Sequence, residues 1–411
     1  MRPEIAARIA QIRRGEVPRG YQRTKAGIIP DDWKEISVGA CIREYKRLSN
    51  DVASVPVYSS SRRGLVPQSE YYDRKEASET NLGYKVVPPG YATYRHMSDD
   101  DIFHFNVNET GGEILVSAEY PVFAASEICH LGFLIPALNE TRRFRYFCRT
   151  QKLGGTRTRL YLSNLVKYRV PLPPPEEQRR IADVLSAQDD VIALKERLIA
   201  EKTRQKRGLM QDLFHRFQGP RRKIADVCAI VNGGTPDTTK AEYWNGDILW
   251  CAPSDFAACP SKYISSTEKR ISKLGLQSSS ATMLPAGTVL LCSRATVGEV
   301  RIASREMCTN QGFKSLIAKP GISNEWLYYT AQFIRNDIMK LAYGSTFLEI
   351  SKSNLANIEV SAPPYEVQVK ITEILSAADR EIELLRRSLE LERRQKTALA
   401  QLLLTGLVRL S

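Results

Sequence analysis

Between Arg142 and Arg169 the chain carries nine basic side chains and no Asp or Glu. They are Arg142, Arg143, Arg145, Arg149, Lys152, Arg157, Arg159, Lys167 and Arg169, with Phe144, Tyr146, Phe147, Tyr161 and Tyr168 interleaved. The chemistry open to such a run is electrostatic. Each Lys or Arg set against a phosphate releases a condensed counterion, and Arg can also fork onto O6 and N7 of guanine. Thr156, Arg157 and Arg159 follow the flexible pair Gly154-Gly155, where backbone and guanidinium can approach DNA, so they are candidate contacts. Arg62 and Arg63 precede Gly64 in a loop-like stretch, and Arg95 follows a strand-like run, which makes them candidates of the same kind. In the second half, Arg294 follows a strand-like run and Asn310-Gln311 lie in a polar loop. Gln can pair with adenine, while Asn310 could instead hold its own turn. Thr346, in Gly344-Ser345-Thr346, occupies the place of Thr156 and completes the set. The plainer alternative for the basic run is a solvated helix face followed by a turn. The net charge of +13 and the pI of about 9.3 favour a polyanionic partner.

Bond-making chemistry has little to work with. Ala362-Pro363-Pro364-Tyr365 has the outline of an amino-methyltransferase motif, but that reaction needs an Asn or Asp carbonyl where Ala362 stands. The equivalent run is Leu172-Pro173-Pro174-Pro175, and neither has a glycine-rich cofactor loop; both read as helix-start prolines. Asp31, Glu44 and Lys46 have the outline of a metal-dependent nuclease, in which carboxylates hold Mg²⁺ and Lys orients the nucleophile. Such fragments arise by chance, and Asp31 also belongs to the turn Ile29-Pro30-Asp31-Asp32-Trp33. No GxxxxGK[ST] or GxSxG run occurs. The eight cysteines form no CxxC pair and there are four histidines, so zinc spacing is absent; Cys41, Cys228 and Cys292 read as small buried residues. No catalytic, cofactor-binding or metal-binding residue is expected. The opening MRPEIAARIAQIRR has no apolar signal core and no run of 18 apolar residues exists, which predicts no membrane span and a cytoplasmic location.

The elements that must position these residues are written in an internal repeat. Residues 160–214 align with 350–404 without a gap at an offset of 190. Ser163-Asn164-Leu165 meets Ser353-Asn354-Leu355, Pro173-Pro174 meets Pro363-Pro364, Gln178 meets Gln368, and Gln205-Lys206 meets Gln395-Lys396. Each copy runs from a strand-like segment through prolines into a long helix. In the second, Ile371, Leu375, Ala378, Ile382, Leu385, Leu389, Glu392, Lys396, Leu399 and Leu403 step by 4 and 3, a heptad seam with two polar breaks. The first has the same seam from Ile181 to Leu213, more polar in its middle. At about 1.5 Å per residue, each seam runs on the order of 50 Å. That length suits a spacer, and two copies suggest an antiparallel or bundled pair; the alternative is two independent surface helices. Ile5, Ile9 and Ile12 predict a short amphipathic helix over 3–14, sized to pack on the end of the C-terminal helix.

Before each long helix lie about 140 residues, from Trp33 to Leu172 and from Lys223 to Ala362, rich in turn-then-strand signals. Examples are Pro88-Pro89-Gly90 before Tyr91–Tyr94, and Pro285-Ala286-Gly287 before Thr288–Cys292. The helices repeat closely while the globular segments differ. This suggests one task done twice by the helices and two different targets for the globular parts.

In this arrangement the chain resembles the specificity subunit of Type I restriction-modification systems. Arg23-Thr24-Lys25 and Ile29–Trp33 resemble the opening of that family's first target-recognition domain. Gly233-Gly234-Thr235-Pro236, Tyr243–Ile248, Trp250 and Pro253-Ser254-Asp255 resemble the opening of the second. Ser293–Gly298 and Asn310-Gln311-Gly312-Phe313 resemble its middle, and Gly344–Thr346 with Ile350-Ser351 its end. The first globular segment has no counterpart of Asn310–Phe313 or Tyr243–Asp247.

The resemblance implies an α+β chain: two mixed α/β target-recognition domains separated by two long repeated helices forming an antiparallel coiled coil, with pseudo-twofold symmetry. The expected divisions are an N-terminal helix and linker (1–32), recognition domain 1 (33–172), spacer helix 1 (173–217), recognition domain 2 (218–362) and spacer helix 2 (363–411). Each domain would read half of a split double-stranded DNA site. The helices would fix the spacer and dock two modification (methyltransferase) subunits, with restriction (translocase/endonuclease) subunits joining. The competing readings are a coiled-coil scaffold binding proteins, against which the acid-free basic run argues, and a stand-alone nuclease, which Mg²⁺-dependent cleavage by the purified chain would reveal.

Overall fold

The computed structural model describes residues 3–68, 83–152, 156–259, 261–343 and 348–410; Gly154, Gly155, Gly344, Ser345 and Thr346 lie outside them. The chain forms two compact units, Met1–Leu194 with Glu390–Ser411, and Lys195–Leu389.

The two long helices, Pro175–Arg216 and Tyr365–Leu403, contribute a segment to each unit. Glu176 and Glu177 occupy the first turn of the former, and His215 and Arg216 its last, matching the helix dipole at both ends. In the first unit Gln188 Nε2 donates to Glu392 Oε2 at 2.7 Å and Lys396 Nζ to Asp189 Oδ1 at 2.5 Å. In the second, Lys195 donates to Ser388 Oγ at 2.6 Å, while Lys202–Glu381 and Lys206–Asp379 pair at 2.6 Å each. In the second unit numbers rise on one helix as they fall on the other, so the two segments there are antiparallel. Every position of both seams is buried or half-buried. The helices are therefore not independent surface elements. The polar breaks are interhelical contacts: Glu392 and Lys396 each meet the facing helix.

The first unit's globular part holds an antiparallel four-stranded sheet in the order Phe105–Val107, Ala92–Tyr94, Val122–Ala125, Ile42–Glu44. A three-stranded sheet is ordered Ile114–Ser117, Tyr84–Val87, Leu48–Ser49. Helices Leu131–Glu140 and Arg142–Arg149 cover a core containing Trp33, Phe105, Phe133 and Phe144. Ile181, Leu185, Ala400 and Leu403 from the long helices enter the same core. Lys34–Ser37 pairs with Arg169–Leu172, tying the start of the globular chain to its end. The N-terminal helix, Pro3–Arg13, buries Ile9, and Arg8 donates to the Leu407 carbonyl at 3.1 Å, so it meets the C-terminal end of the chain.

The second unit has a five-stranded mixed sheet in the order Cys228–Asn232, Phe313–Ala318, Val289–Cys292, Val300–Ala303, Tyr263–Ile264. Its core gathers Val289, Leu316, Trp326 and Tyr329 with Leu213, Phe214, Ile371 and Leu375 of the helices. Arg221–Lys223 pairs with Glu359–Ser361, the counterpart of the closing strand pair in the first unit.

Gln178 and Gln368, matched by the repeat, do the same work in each unit. Gln178 Oε1 accepts from His130 N at 2.8 Å, and its Nε2 donates to the carbonyls of Ile128 at 3.0 Å and Pro173 at 2.9 Å. Gln368 Oε1 accepts from Ser323 N at 2.9 Å, and its Nε2 donates to Pro363 O at 2.8 Å and Gly321 O at 3.4 Å. Each glutamine is 1% exposed and fastens the loop before a domain helix to the proline step of its long helix. Gln368→Leu would orphan the Ser323 amide and the Pro363 carbonyl in the interior, at about 1–3 kcal/mol per group. A loss of about 3 kcal/mol in denaturant unfolding of the full chain is expected; a change within error would contradict the role.

Candidate nucleic-acid interface

In the first domain the hairpin of Tyr58–Ser61 and Gly64–Pro67 places Arg62 and Arg63 at its tip. Gly64 has φ +106, a backbone that L side chains resist. Strand Met97–Ser98 pairs with Thr158–Arg159, bringing the chain beside Thr156 and Arg157 next to the loop Asp99–Asp101. Arg157 Nε donates to Asp99 Oδ1 at 2.8 Å, Arg62 pairs with Asp100, and the Thr158 hydroxyl donates to Asp101. The hydrogen bond from the Arg62 guanidinium lowers the Asp100 pKa to about 2; burial opposes it, and the Ser98 hydroxyl and the Ile102 amide add to the lowering. Thr156 and Arg63 are exposed beside these pairs.

Arg95 and Arg159 belong to a different neighbourhood. Arg159 lines a cavity of about 410 Å³ with Glu44, Lys85, His96, Glu119 and Tyr161. Burial lowers the His96 pKa; Glu119 opposes this, while Arg159, Arg95 and Lys85 reinforce it. The imidazole is therefore neutral near pH 7.

The acid-free run Arg142–Arg169 is free of acids in sequence but not in space. Asp99 reaches Arg157, and Arg169 Nε meets Glu35 Oε1 at 2.5 Å. Sequence reasoning missed these partners because they lie far away along the chain. The visible signal was the run Ser98-Asp99-Asp100-Asp101 itself.

In the second domain three distant runs meet. A Cβ on Gly312 would lie 3.1 Å from both Arg294 Nε and Asn310 Oδ1, so the Arg294 side chain rests over Gly312 beside Asn310. Gln311 is exposed and accepts from the Thr235 hydroxyl. A Cβ on Gly233 would stand 1.8 Å from Asn310 O, which explains the glycine two residues before Thr235. Asn310 Oδ1 accepts from Gly312 N at 2.9 Å, so this side chain holds its own turn. Two residues here escaped sequence reasoning. Lys314, its side chain 10% exposed within an apolar strand, pairs with Glu349 at 3.1 Å, and Glu349 bridges to the Arg294 backbone. A lysine inside the run Phe313–Ala318 was the legible sign.

The outlined nuclease set is not assembled. Asp31 is exposed in its turn, Glu44 pairs with Lys46 at 3.0 Å, and no group of three or more potential metal ligands lies together among the described residues. Ala362 is buried under the proline step, with its carbonyl packed against Gly219. Among the described residues no helix is long and apolar enough to cross a membrane.

A family model described as the Type I restriction modification DNA specificity domain matches residues 103–203 and 221–393. The chain belongs to this family. It is 24% identical over 443 aligned positions to the putative type I restriction enzyme MjaX specificity subunit of Methanocaldococcus jannaschii, covering 95% of this chain and 96% of that protein. It is 40% identical over 164 residues to the type I restriction enzyme MjaIX specificity subunit of the same organism, a match spanning 39% of this chain and 38% of that protein. A chain solved in work on complex assembly and conformational transition of the type I R-M system has the same fold, with a TM-score of 0.58 at 20% identity, covering 92% of this chain and 99% of the other. The two-domain, coiled-coil α+β fold and the family expected from the sequence both hold.

Proposed function

We propose that this chain is the DNA-reading specificity subunit of a Type I restriction-modification complex and has no catalytic group of its own. Residues 33–172 and 218–362 act as recognition domains, each reading one half of a bipartite duplex site. Residues 173–217 and 363–411 set the unread spacer and dock two modification subunits; the N-terminal residues 1–32 brace the C-terminal end. Restriction subunits join that complex and, with the modification subunits, supply the chemistry. No cofactor or metal is assigned to this chain. The DNA it reads lies in the cytoplasm, where this reading puts the chain.

The observation that carries the reading is the convergence of Arg294, Gln311 and Thr235 from three distant runs onto one polar surface. A guanidinium and a carboxamide side by side can read guanine and adenine edges. Arg62, Arg63, Thr156 and Arg157 form the corresponding surface of domain 1. Arg95, Arg159, Asn310 and Thr346 remain proposed contacts, Asn310 through the turn it holds; Thr346 lies outside the described residues.

Co-expression with modification subunits followed by methylome sequencing tests the reading: a bipartite methylated motif is expected, and none would defeat it. Arg294→Ala should relax one position of one half-site, losing about 1–3 kcal/mol of discrimination there. Uniform weakening at every position would make Arg294 a phosphate contact instead.

A further inference from the structure

The loop Asp99–Asp101, beside the Arg62–Arg63 hairpin, is acidic where a DNA-facing loop is expected to be basic. Asp99 and Asp100 hold Arg157 and Arg62, and all four side chains are exposed, at 69%, 48%, 55% and 56% respectively. Ion pairs this open contribute little to a fold, so stability does not account for them. The loop is nonetheless firmly built. Asp101 takes φ +63, Ser98 Oγ accepts from Ile102 N at 3.1 Å and donates to Asp100 Oδ1 at 3.0 Å, and Ser98 is held in register opposite Thr158. The Asp100 carboxylate is thus held by its own loop where it meets Arg62, and Asp99 Oδ1 lies 2.8 Å from Arg157 Nε.

We propose that Asp99 and Asp100 are specificity-determining residues that suppress the binding of domain 1 to DNA of arbitrary sequence. The inference rests on the reading that Arg62 and Arg157 face DNA. To reach either arginine, a phosphate must displace a carboxylate. The displaced carboxylate then faces a phosphate of the same sign. Every duplex meets this cost, and the target duplex offsets it with base contacts. An arginine neutralised in advance also adds less than the usual increment of about 0.9 to the salt dependence of binding.

The test is fluorescence anisotropy of the full chain on a short duplex lacking the target site, from about 50 to 200 mM salt. Asp99→Asn with Asp100→Asn preserves shape, since the amide oxygen still accepts from Ser98 and Ile102. The double variant is expected to bind about tenfold more tightly at the lowest salt, with a slope steeper by roughly one to two, and to discriminate less for the target. Asp99→Asn alone should gain about threefold. Destabilisation cannot produce a gain, so unchanged or weaker binding by both variants overturns the inference. Glu4→Gln with Glu109→Gln makes the same charge change at two other exposed acids of this unit; an equal gain there would also overturn it. Arg62→Ala with Arg157→Ala separates the levels. If that pair weakens binding while the Asn variants do nothing, the inference alone fails. If the arginine pair changes nothing, the reading of this face fails too.

Discussion

Exchanging residues 221–361 for the matching segment of another family member is expected to change one half of the methylated motif and leave the other half base for base. The segment begins and ends on paired strands, Arg221–Lys223 with Glu359–Ser361, so its ends are fixed by its own backbone hydrogen bonds. Its sheet and helices close a core of their own, and the long helices enter that core through Leu213, Phe214, Ile371 and Leu375. An incoming segment must therefore present an apolar face to four side chains that stay behind. Gln368 must also find a loop to hold, as it now holds Ser323 and Gly321. Where those conditions are met, the recognition surface around Arg294 and Gln311 leaves with the segment, while Arg62 and Arg157 remain. Methylome sequencing of cells carrying the exchange reads the result, and altered bases in both halves would refute the independence of the two readers.

Glu177→Leu is expected to destabilise the first unit by about 2–4 kcal/mol, because it leaves the Trp33 indole N–H and the Leu410 amide without an acceptor, at about 1–3 kcal/mol per group, and strips Arg409 of one of its two carboxylates. Glu177 is 3% exposed and accepts from Trp33 Nε1 at 3.0 Å, from Arg409 Nε and Nη2 at 2.8 Å each, and from Leu410 N at 3.2 Å. Arg409 also forks onto Asp32 at 2.8 and 2.7 Å, so the cluster joins the last residues of the chain to the turn before the first domain. Replacing Arg409 as well, with Leu, should recover much of the loss, since an apolar pair often substitutes for a buried ionic one. The pH dependence has a definite sign. Burial pushes the Glu177 carboxyl up, but the hydrogen bonds from Arg409 and Trp33, with the Arg409 charge, outweigh it and hold the pKa below the ordinary value. A depressed carboxylate adds stability above its unfolded pKa of about 4.3 and loses it as pH falls through the folded value. Thermal melts of the wild type should therefore fall through this acid window, and Glu177→Leu should lack that part of the fall. Parallel pH profiles for the two proteins would refute the assignment.

The parts legible in the sequence are those that depend on local pattern. The offset of 190 and the heptad steps announced the helix pair, because seam packing depends on spacing alone. The family motifs placed Arg294 and Gln311, and structure brings them together because Gly312 leaves room for the Arg294 side chain and Gly233 lets its backbone approach that of Asn310. What could not be read was compensation across space. Arg157 looked unopposed because Asp99 stands 58 residues away, and Lys314 looked like an interruption because Glu349 lies 35 residues further on. Arg159 resembled the tip arginines in type, yet strand register put it beside His96, the neighbour of Arg95. The choice between an antiparallel and a bundled pair also needed contacts such as Lys195 with Ser388.

Two of those contacts are one contact made twice. Adding 190 to Asp189 and Lys206 gives Asp379 and Lys396, and the observed pairs are Lys206–Asp379 and Lys396–Asp189. Each unit thus carries one copy of the same Lys–Asp contact, made by residues that the repeat matches. A tandem duplication of one ancestral chain that paired with itself would inherit such a seam with no new invention. Inheritance then acts on the two portions differently. A change in the seam is felt at both of its ends, while a change in either reader is felt by that reader alone, so the joined descendant can acquire new targets one half at a time.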